Sequence, residues 1–318
     1  MELAEVLAHW DIGTVTGTEP VPQGSVNRVF QVRTVFQTFY LRLYRSSDVA
    51  VLEREERVMQ AARLGGVPVP TALPTRRGAG WLNLDGQLCA LFEAATGFQV
   101  ARTDLTARDA TAAGEALARL HRALEPLPDL GWRRYTVAYD PAAWLARLDG
   151  VWRAMEGLSA PDLTDAWALE RLRAQRARLA DPDCPHTADL SGPRQTIHGD
   201  YHDGNLFFDA RRVSGVIDWE QAAWMPRAFE AVRSAHYMFS GVPALAAVFL
   251  NAYLSGLNMN PPELQAAALA YGVQADHNVW ALEEIYLHGN ARARPFIPHA
   301  PDRPFASLWL DIQEAQEV

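Results

Sequence analysis

Residues 197–205 read Ile197-His198-Gly199-Asp200-Tyr201-His202-Asp203-Gly204-Asn205, and Asp218-Trp219-Glu220 follows, its aspartate thirteen residues after Asn205. Short apolar runs flank these polar residues: Gln195-Thr196-Ile197, Leu206-Phe207-Phe208 and Val213-Ser214-Gly215-Val216-Ile217. Such runs read as brief strands, which puts Asp200, Asn205 and Asp218 on loops where side chains can converge. Taken singly, Asp200 would cap a turn, Asn205 would fix a loop and Asp218 would end a buried strand. Taken together they form an oxygen-rich set with a defined order and spacing.

Phosphoryl transfer asks for such a set. It needs a carboxylate to orient an attacking hydroxyl and take its proton, and oxygen ligands to hold Mg²⁺ on the phosphates. A second reading uses His198, Asp200 and His202 as ligands to a transition metal in a hydrolase. That reading leaves Asn205 and Asp218-Trp219-Glu220 unexplained, and no further His/Cys cluster completes the ligand set.

The wording His-Gly-Asp-x-His-x-x-Asn, then Val-Ile-Asp-Trp-Glu, resembles the aminoglycoside phosphotransferase and choline kinase superfamily. The resemblance implies a protein-kinase-like fold, ATP and Mg²⁺ as cofactors, Asp200 as the catalytic carboxylate, and Asn205 and Asp218 as metal ligands. His198 would support the catalytic loop, His202 would pack in it, and Glu220 would be accessory to the metal. The family's strand lysine falls on Tyr40-Leu41-Arg42-Leu43-Tyr44, so Arg42 takes its place. Its helix partner lies in Glu53-Arg54-Glu55-Glu56, with Glu55 preferred and Glu56 the rival. Gln23-Gly24-Ser25-Val26-Asn27 resembles the phosphate-covering loop, through Gly24, Ser25 and Asn27. Phe92-Glu93-Ala94 matches the connection that binds adenine through main-chain groups at Phe92 and Ala94, with Leu41, Leu91 and Ile217 as candidate walls. Glu230 and His121 match bracing and structural positions.

The chain outside the motif is consistent with that fold. The first ninety-odd residues alternate as strands do, at 27–32 and 38–44, with a helix at 51–64 and a hairpin at 81–92. Beyond Gly97 helical spacing dominates: 111–124, 144–155, 163–179, 227–239, 243–254, 262–271 and 276–288. The expected architecture is α+β and two-lobed, with a small, mostly antiparallel β N-lobe (1–93) and a larger, mainly helical C-lobe (94–318).

Composition narrows the chemistry further. All 29 basic residues are arginine, so neither a lysine Schiff base nor a phosphate loop ending in Gly-Lys-Ser/Thr is available. A net charge of −9 argues against general nucleic-acid binding. No apolar run is long enough to span a bilayer, and Glu2, Glu5 and His9 break any secretory pattern, so the expectation is a cytoplasmic protein. Cys89 and Cys184 stand far apart and read as reduced packing residues. The partner is then a small-molecule hydroxyl acceptor: an aminoglycoside, an amino alcohol, a homoserine-like compound or a sugar. The tryptophans at 132, 144, 152, 224, 280 and 309 offer faces for a quaternary amine, whereas Arg292, Arg294 and His299 suit an anionic acceptor. A nucleotide-binding module without turnover is the alternative from outside enzymology, prompted by the missing lysine.

Overall fold

The run Thr38-Phe39-Tyr40-Leu41-Arg42-Leu43 is a strand with both faces covered. Phe39, Leu41 and Leu43 are buried on one side, and Tyr40, Arg42 and then Tyr44 lie on the other. The computed structural model describes residues 2–21, 27–132, 134–210, 212–239 and 241–317. In chain order its first elements are α1 (Leu3–Leu7), β1 (Val15–Pro20), β2 (Arg28–Thr34), β3 (Thr38–Leu43) and α2 (Val49–Leu64). Next come β4 (Leu82–Leu84), β5 (Gln87–Glu93), α3 (Ala107–Leu124), β6 (Val137–Ala138), α4 (Pro141–Glu156) and α5 (Leu163–Leu179). The remainder is β7 (Thr187–Ala188), β8 (Arg194–Ile197), β9 (Leu206–Asp209), β10 (Arg212–Val216), β11 (Ala223–Pro226) and α6 (Arg227–Phe239). Four helices close the chain: α7 (Pro243–Ser255), α8 (Pro261–Asp276), α9 (Trp280–Tyr286) and α10 (Phe305–Gln316).

The chain divides into two compact units, Met1–Trp132 with Thr196–Ala222, and Arg133–Gln195 with Ala223–Val318. In the first, an antiparallel sheet of order β1-β2-β3-β5-β4 sets Arg42 opposite Ala90 and Tyr40 opposite Phe92. One face carries Phe39, Leu41, Leu43 and Leu91 into a core with Val6, Leu7 and Trp10 of the N-terminal segment. The other face meets α2, through Tyr44, Leu88 and Ala90 packed with Leu52. Asp48 starts α2 by accepting from Ala50 N at 3.0 Å, and Gly66 at φ +77 turns the chain out of its C-terminus. Thr106 and Asp109 cap α3 reciprocally.

The second unit is helical. α4 pairs with α5 around Leu148, Val151 and Leu172, joined by Val279 and Leu282, while α6 and α10 each pack on α7 and α8. The boundary between two expected helices, 262–271 and 276–288, is displaced. α8 runs on to Asp276, His277 caps it, and α9 begins only at Trp280. The His277 ring explains the break, since its Nδ1 donates back to Val273 O at 2.7 Å and anchors the end of α8. Among the described residues no helix is long and apolar enough to cross a membrane.

Candidate active site

The described candidates for catalysis, metal and nucleotide (Asn27, Arg42, Glu55, Phe92, Ala94, His198, Asp200, His202, Asn205, Asp218, Glu220) belong to the first unit, and Glu230 belongs to the second. Gly24 and Ser25 lie outside the described residues. Arg42 organises the set. Its Nη1 donates to Glu55 Oε1 at 2.7 Å, and its Nη2 donates to Asp218 Oδ1 and Glu220 Oε2, both at 2.9 Å. Glu55, not Glu56, turns inward: Glu55 is 3% exposed and Glu56 stands at the surface. Burial pushes the Glu55 carboxyl above its ordinary value while Arg42 draws it down. Burial comes first for Glu220 as well, followed by the charge of Asp218, and together they push its carboxyl up to about 7.

The catalytic-loop candidates hold one another. Asn205 Nδ2 donates to Asp200 O at 2.9 Å and reaches Asp200 Oδ2 at 3.3 Å. The N–H of Gly204 donates to His202 Nδ1 at 3.0 Å, which fixes the His202 proton on Nε2, 3.3 Å from Asp200 Oδ2. His202 therefore touches the candidate base, a closer role than loop packing. The N–H of Asp200 donates to His198 Nδ1 at 3.2 Å, so His198 Nε2–H donates to Ile217 O at 2.9 Å. Fully buried, with Trp219 at 4.6 Å between ring centres, His198 links the two loops. With both ring nitrogens used, it is not available as the transition-metal ligand of the hydrolase reading. Among the described residues no three His, Cys, Asp or Glu side chains gather as a metal-ligand set.

Backbone geometry keeps these loops in place. Gly199 sits at φ +83, and a Cβ there would fall 1.9 Å from Gln221 O, so only glycine fits. Asp218 itself is held at φ +64, a left-handed conformation that a non-glycine residue adopts only when its surroundings enforce it. The N–H of Ile217 donates to Asn205 O at 3.0 Å, and Tyr201 Oη–H, buried, donates to Ala113 O of α3 at 2.8 Å.

Sequence reading missed a strap from Thr96 to Arg102. Phe98 and Phe208 exchange backbone bonds of 3.1 and 2.8 Å, and Thr96 and Ser214 exchange side-chain-to-carbonyl bonds of 3.2 and 2.6 Å. Gln99 Nε2 donates to Gly204 O, and Arg102 donates twice to Asp203 Oδ1, at 3.2 and 3.0 Å. The turn that presents Asn205 is thus gripped from the segment just beyond Phe92–Ala94. An arginine five residues past a glycine carries no local signal, so only the fold exposes it.

Three expectations need correction. Leu41 and Leu91 are fully buried in the core with Val6 and Trp10, so they are packing residues rather than walls for adenine. The period of two gives the reason: Tyr40, Ala90 and Phe92 share the Arg42 side of the sheet. Three tryptophan faces offered for an amine are already covered by arginine: Trp132 by Arg54, Trp144 by Arg147 and Trp152 by Arg173, with the cation 5.6, 4.3 and 5.3 Å from the ring centre. Arg294 is spoken for by Asp162 at 2.6 Å and Asp165 at 3.1 Å, and His299 Nε2 lies 3.1 Å from Thr164 Oγ1.

The model of the phosphotransferase enzyme family matches residues 17–268. This chain belongs to that family. The homoserine kinase of Gluconobacter oxydans is 33% identical over 218 residues, a match covering 68% of this chain and 64% of that relative's length. Among solved structures, a spectinomycin phosphotransferase in complex with ADP and spectinomycin is similar over 99% of this chain and 93% of its own, at 16% identity and a TM-score of 0.63. A microcompartment-associated aminopropanol kinase is similar over 99% of this chain and 98% of its own, at 17% identity and a TM-score of 0.60. These likenesses give this family member the α+β, kinase-like fold.

Proposed function

We propose that this chain transfers the γ-phosphate of ATP to a hydroxyl group of a small molecule. One observation carries the reading. Arg42 joins Glu55 to Asp218 and Glu220, next to a loop in which Asn205 and His202 hold the carboxylate of Asp200. In this reading Asp200 accepts the proton of the acceptor hydroxyl. The new bond forms from that oxygen to the γ-phosphorus as the bond from phosphorus to the bridging oxygen of ADP breaks. Arg42 neutralises the α- and β-phosphates. Asn27 would act with Gly24 and Ser25 over the phosphates. Phe92 and Ala94, at the boundary between an N-lobe of 1–93 and a C-lobe of 94–318, would meet adenine.

A divalent ion fits the donor set. Three carboxylates surround one guanidinium, an excess of negative charge, and the remaining donors are hard oxygens. Asp218 and the Asn205 side-chain oxygen, with Glu220 as accessory, would hold Mg²⁺, which when bound neutralises charge on the phosphates.

For the acceptor we favour a homoserine-like amino alcohol, because a relative 33% identical over 218 residues is a homoserine kinase. Cytoplasmic action is in keeping with two free cysteines, of which Cys89 is buried and its thiol pushed up to about 11 by that burial. The test is Asp200→Asn. ADP release driven by acceptor should fall by about 10²- to 10⁴-fold, with ATP affinity retained. Unchanged release would remove Asp200 from the chemistry.

A further inference from the structure

Arg42 serves two elements at once. One arm of its guanidinium reaches α2 at Glu55, and the other reaches the turn that carries Asp218 and Glu220. That turn needs a cation. Its two carboxylates stand two residues apart, Glu220 is largely buried, and Asp218 sits in a left-handed backbone conformation. Asn27 donates a further hydrogen bond to Glu220 through Nδ2, while its own Oδ1 accepts from Arg45 N at 2.9 Å. The side chain of Arg42 is 12% exposed and lies over the Tyr44 ring, with its cation 5.1 Å from the ring centre, so its plane is fixed on a second side. A guanidinium offers separate donors in a rigid fork and can keep one partner on each arm. Lysine offers a single nitrogen on a flexible stem and cannot do this in the same geometry.

We propose that Arg42 is a positioning residue which ties Glu55 to the Asp218–Glu220 turn and holds that turn in place, a task beyond lysine. The proposal deepens the phosphotransferase reading and rests on it for the catalytic consequence. The structural consequence stands on the ion pairs alone. A counter-intuitive outcome follows. Arg42→Lys restores the residue common in the resembled family, and in this chain it should impair the protein.

The experiment is a double-substitution cycle with Arg42→Lys, Glu220→Gln and both together. It is read by thermal unfolding of the full chain without metal or nucleotide, and by steady-state kinetics with ATP. Arg42→Lys should lower the unfolding temperature, and Glu220→Gln should be better tolerated on top of Arg42→Lys than in the native chain. Turnover of Arg42→Lys should fall by about a hundredfold, the scale of a small misplacement of catalytic groups, while KM for ATP moves little because lysine still meets the phosphates. Additive effects on unfolding, or turnover at or above the native level, would overturn the proposal and leave Arg42 as a phosphate cation only. The unfolding cycle decides the clasp whether or not the native chain transfers phosphate, so its failure is separable from failure of the kinase reading.

Discussion

At the scale of single residues the site is built from exceptions to ordinary preferences. Gly199 has no room for a side chain, Asp218 holds a left-handed backbone, and Glu55 carries a carboxyl group at 3% exposure. A neighbour can be named beside each: Gln221 O stands against Gly199, and Arg42 pairs with both acids. Gly199→Ala should therefore cost about 1–3 kcal/mol or more, since both φ and the 1.9 Å approach are violated. Thermal or denaturant unfolding would measure it, and an unchanged midpoint would mean that the loop relaxes freely. Tyr201→Phe removes one buried bond to Ala113 O and should cost about 0.5–1.5 kcal/mol. The same change should slow turnover, because Tyr201 anchors the residue beside Asp200 to α3. A variant less stable but fully active would show that the anchor does not act on the chemistry.

At the scale of elements, the end of α8 carries a pH-sensitive join. His277 is 2% exposed, stacks on Tyr139 at 4.2 Å, and lies 2.8 Å from His186 through the facing ring nitrogens. With its Nδ1–H committed to Val273 O, His277 accepts from His186 Nδ1–H, an arrangement that requires a neutral His277 ring. Burial lowers the His277 value below the ordinary 6.5, with His186 and Arg178 acting in the same direction. The folded chain then takes its proton at a lower pH than the unfolded chain. Stability from this source is complete above pH 6.5 and is lost as pH falls below it. His277→Gln should flatten the decline in unfolding temperature between neutral and mildly acid pH, and an unaltered slope would assign that decline to other groups. The elements also show how far reading the sequence went. Strand β3, helix α2 and the β4–β5 hairpin were legible because alternation, capping and an Asp85-Gly86 turn are local signals. The separation of α8 from α9 was legible too, but not its place, which is marked by a side-chain bond from His277 to Val273. Asp200, Asn205 and Asp218 were legible as a motif. The Thr96–Arg102 strap was not, since its partners lie more than a hundred residues along the chain.

At the scale of the whole chain, arginine is the only basic residue besides histidine. Its fold is kinase-like, and its family model spans residues 17–268. Nucleotide binding should be visible as mass action: a non-hydrolysable ATP analogue with Mg²⁺ at a hundred times its Kd should stabilise the chain by about 2.7 kcal/mol. Asp218→Asn should lose most of the Mg²⁺-dependent part of that gain, and an equal gain in this variant would place the ion elsewhere. What binding cannot report is transfer. The decisive measurement is mass-spectrometric detection of phosphorylated product from ATP and Mg²⁺ across homoserine, amino alcohols, sugars and aminoglycosides, run side by side with the native chain and Asp200→Asn. The native chain should phosphorylate one acceptor class on a hydroxyl, homoserine-like amino alcohols first, and Asp200→Asn should lose that product. ATP bound with no product from any acceptor, or product formed equally by both proteins, would rule out transfer assisted by Asp200.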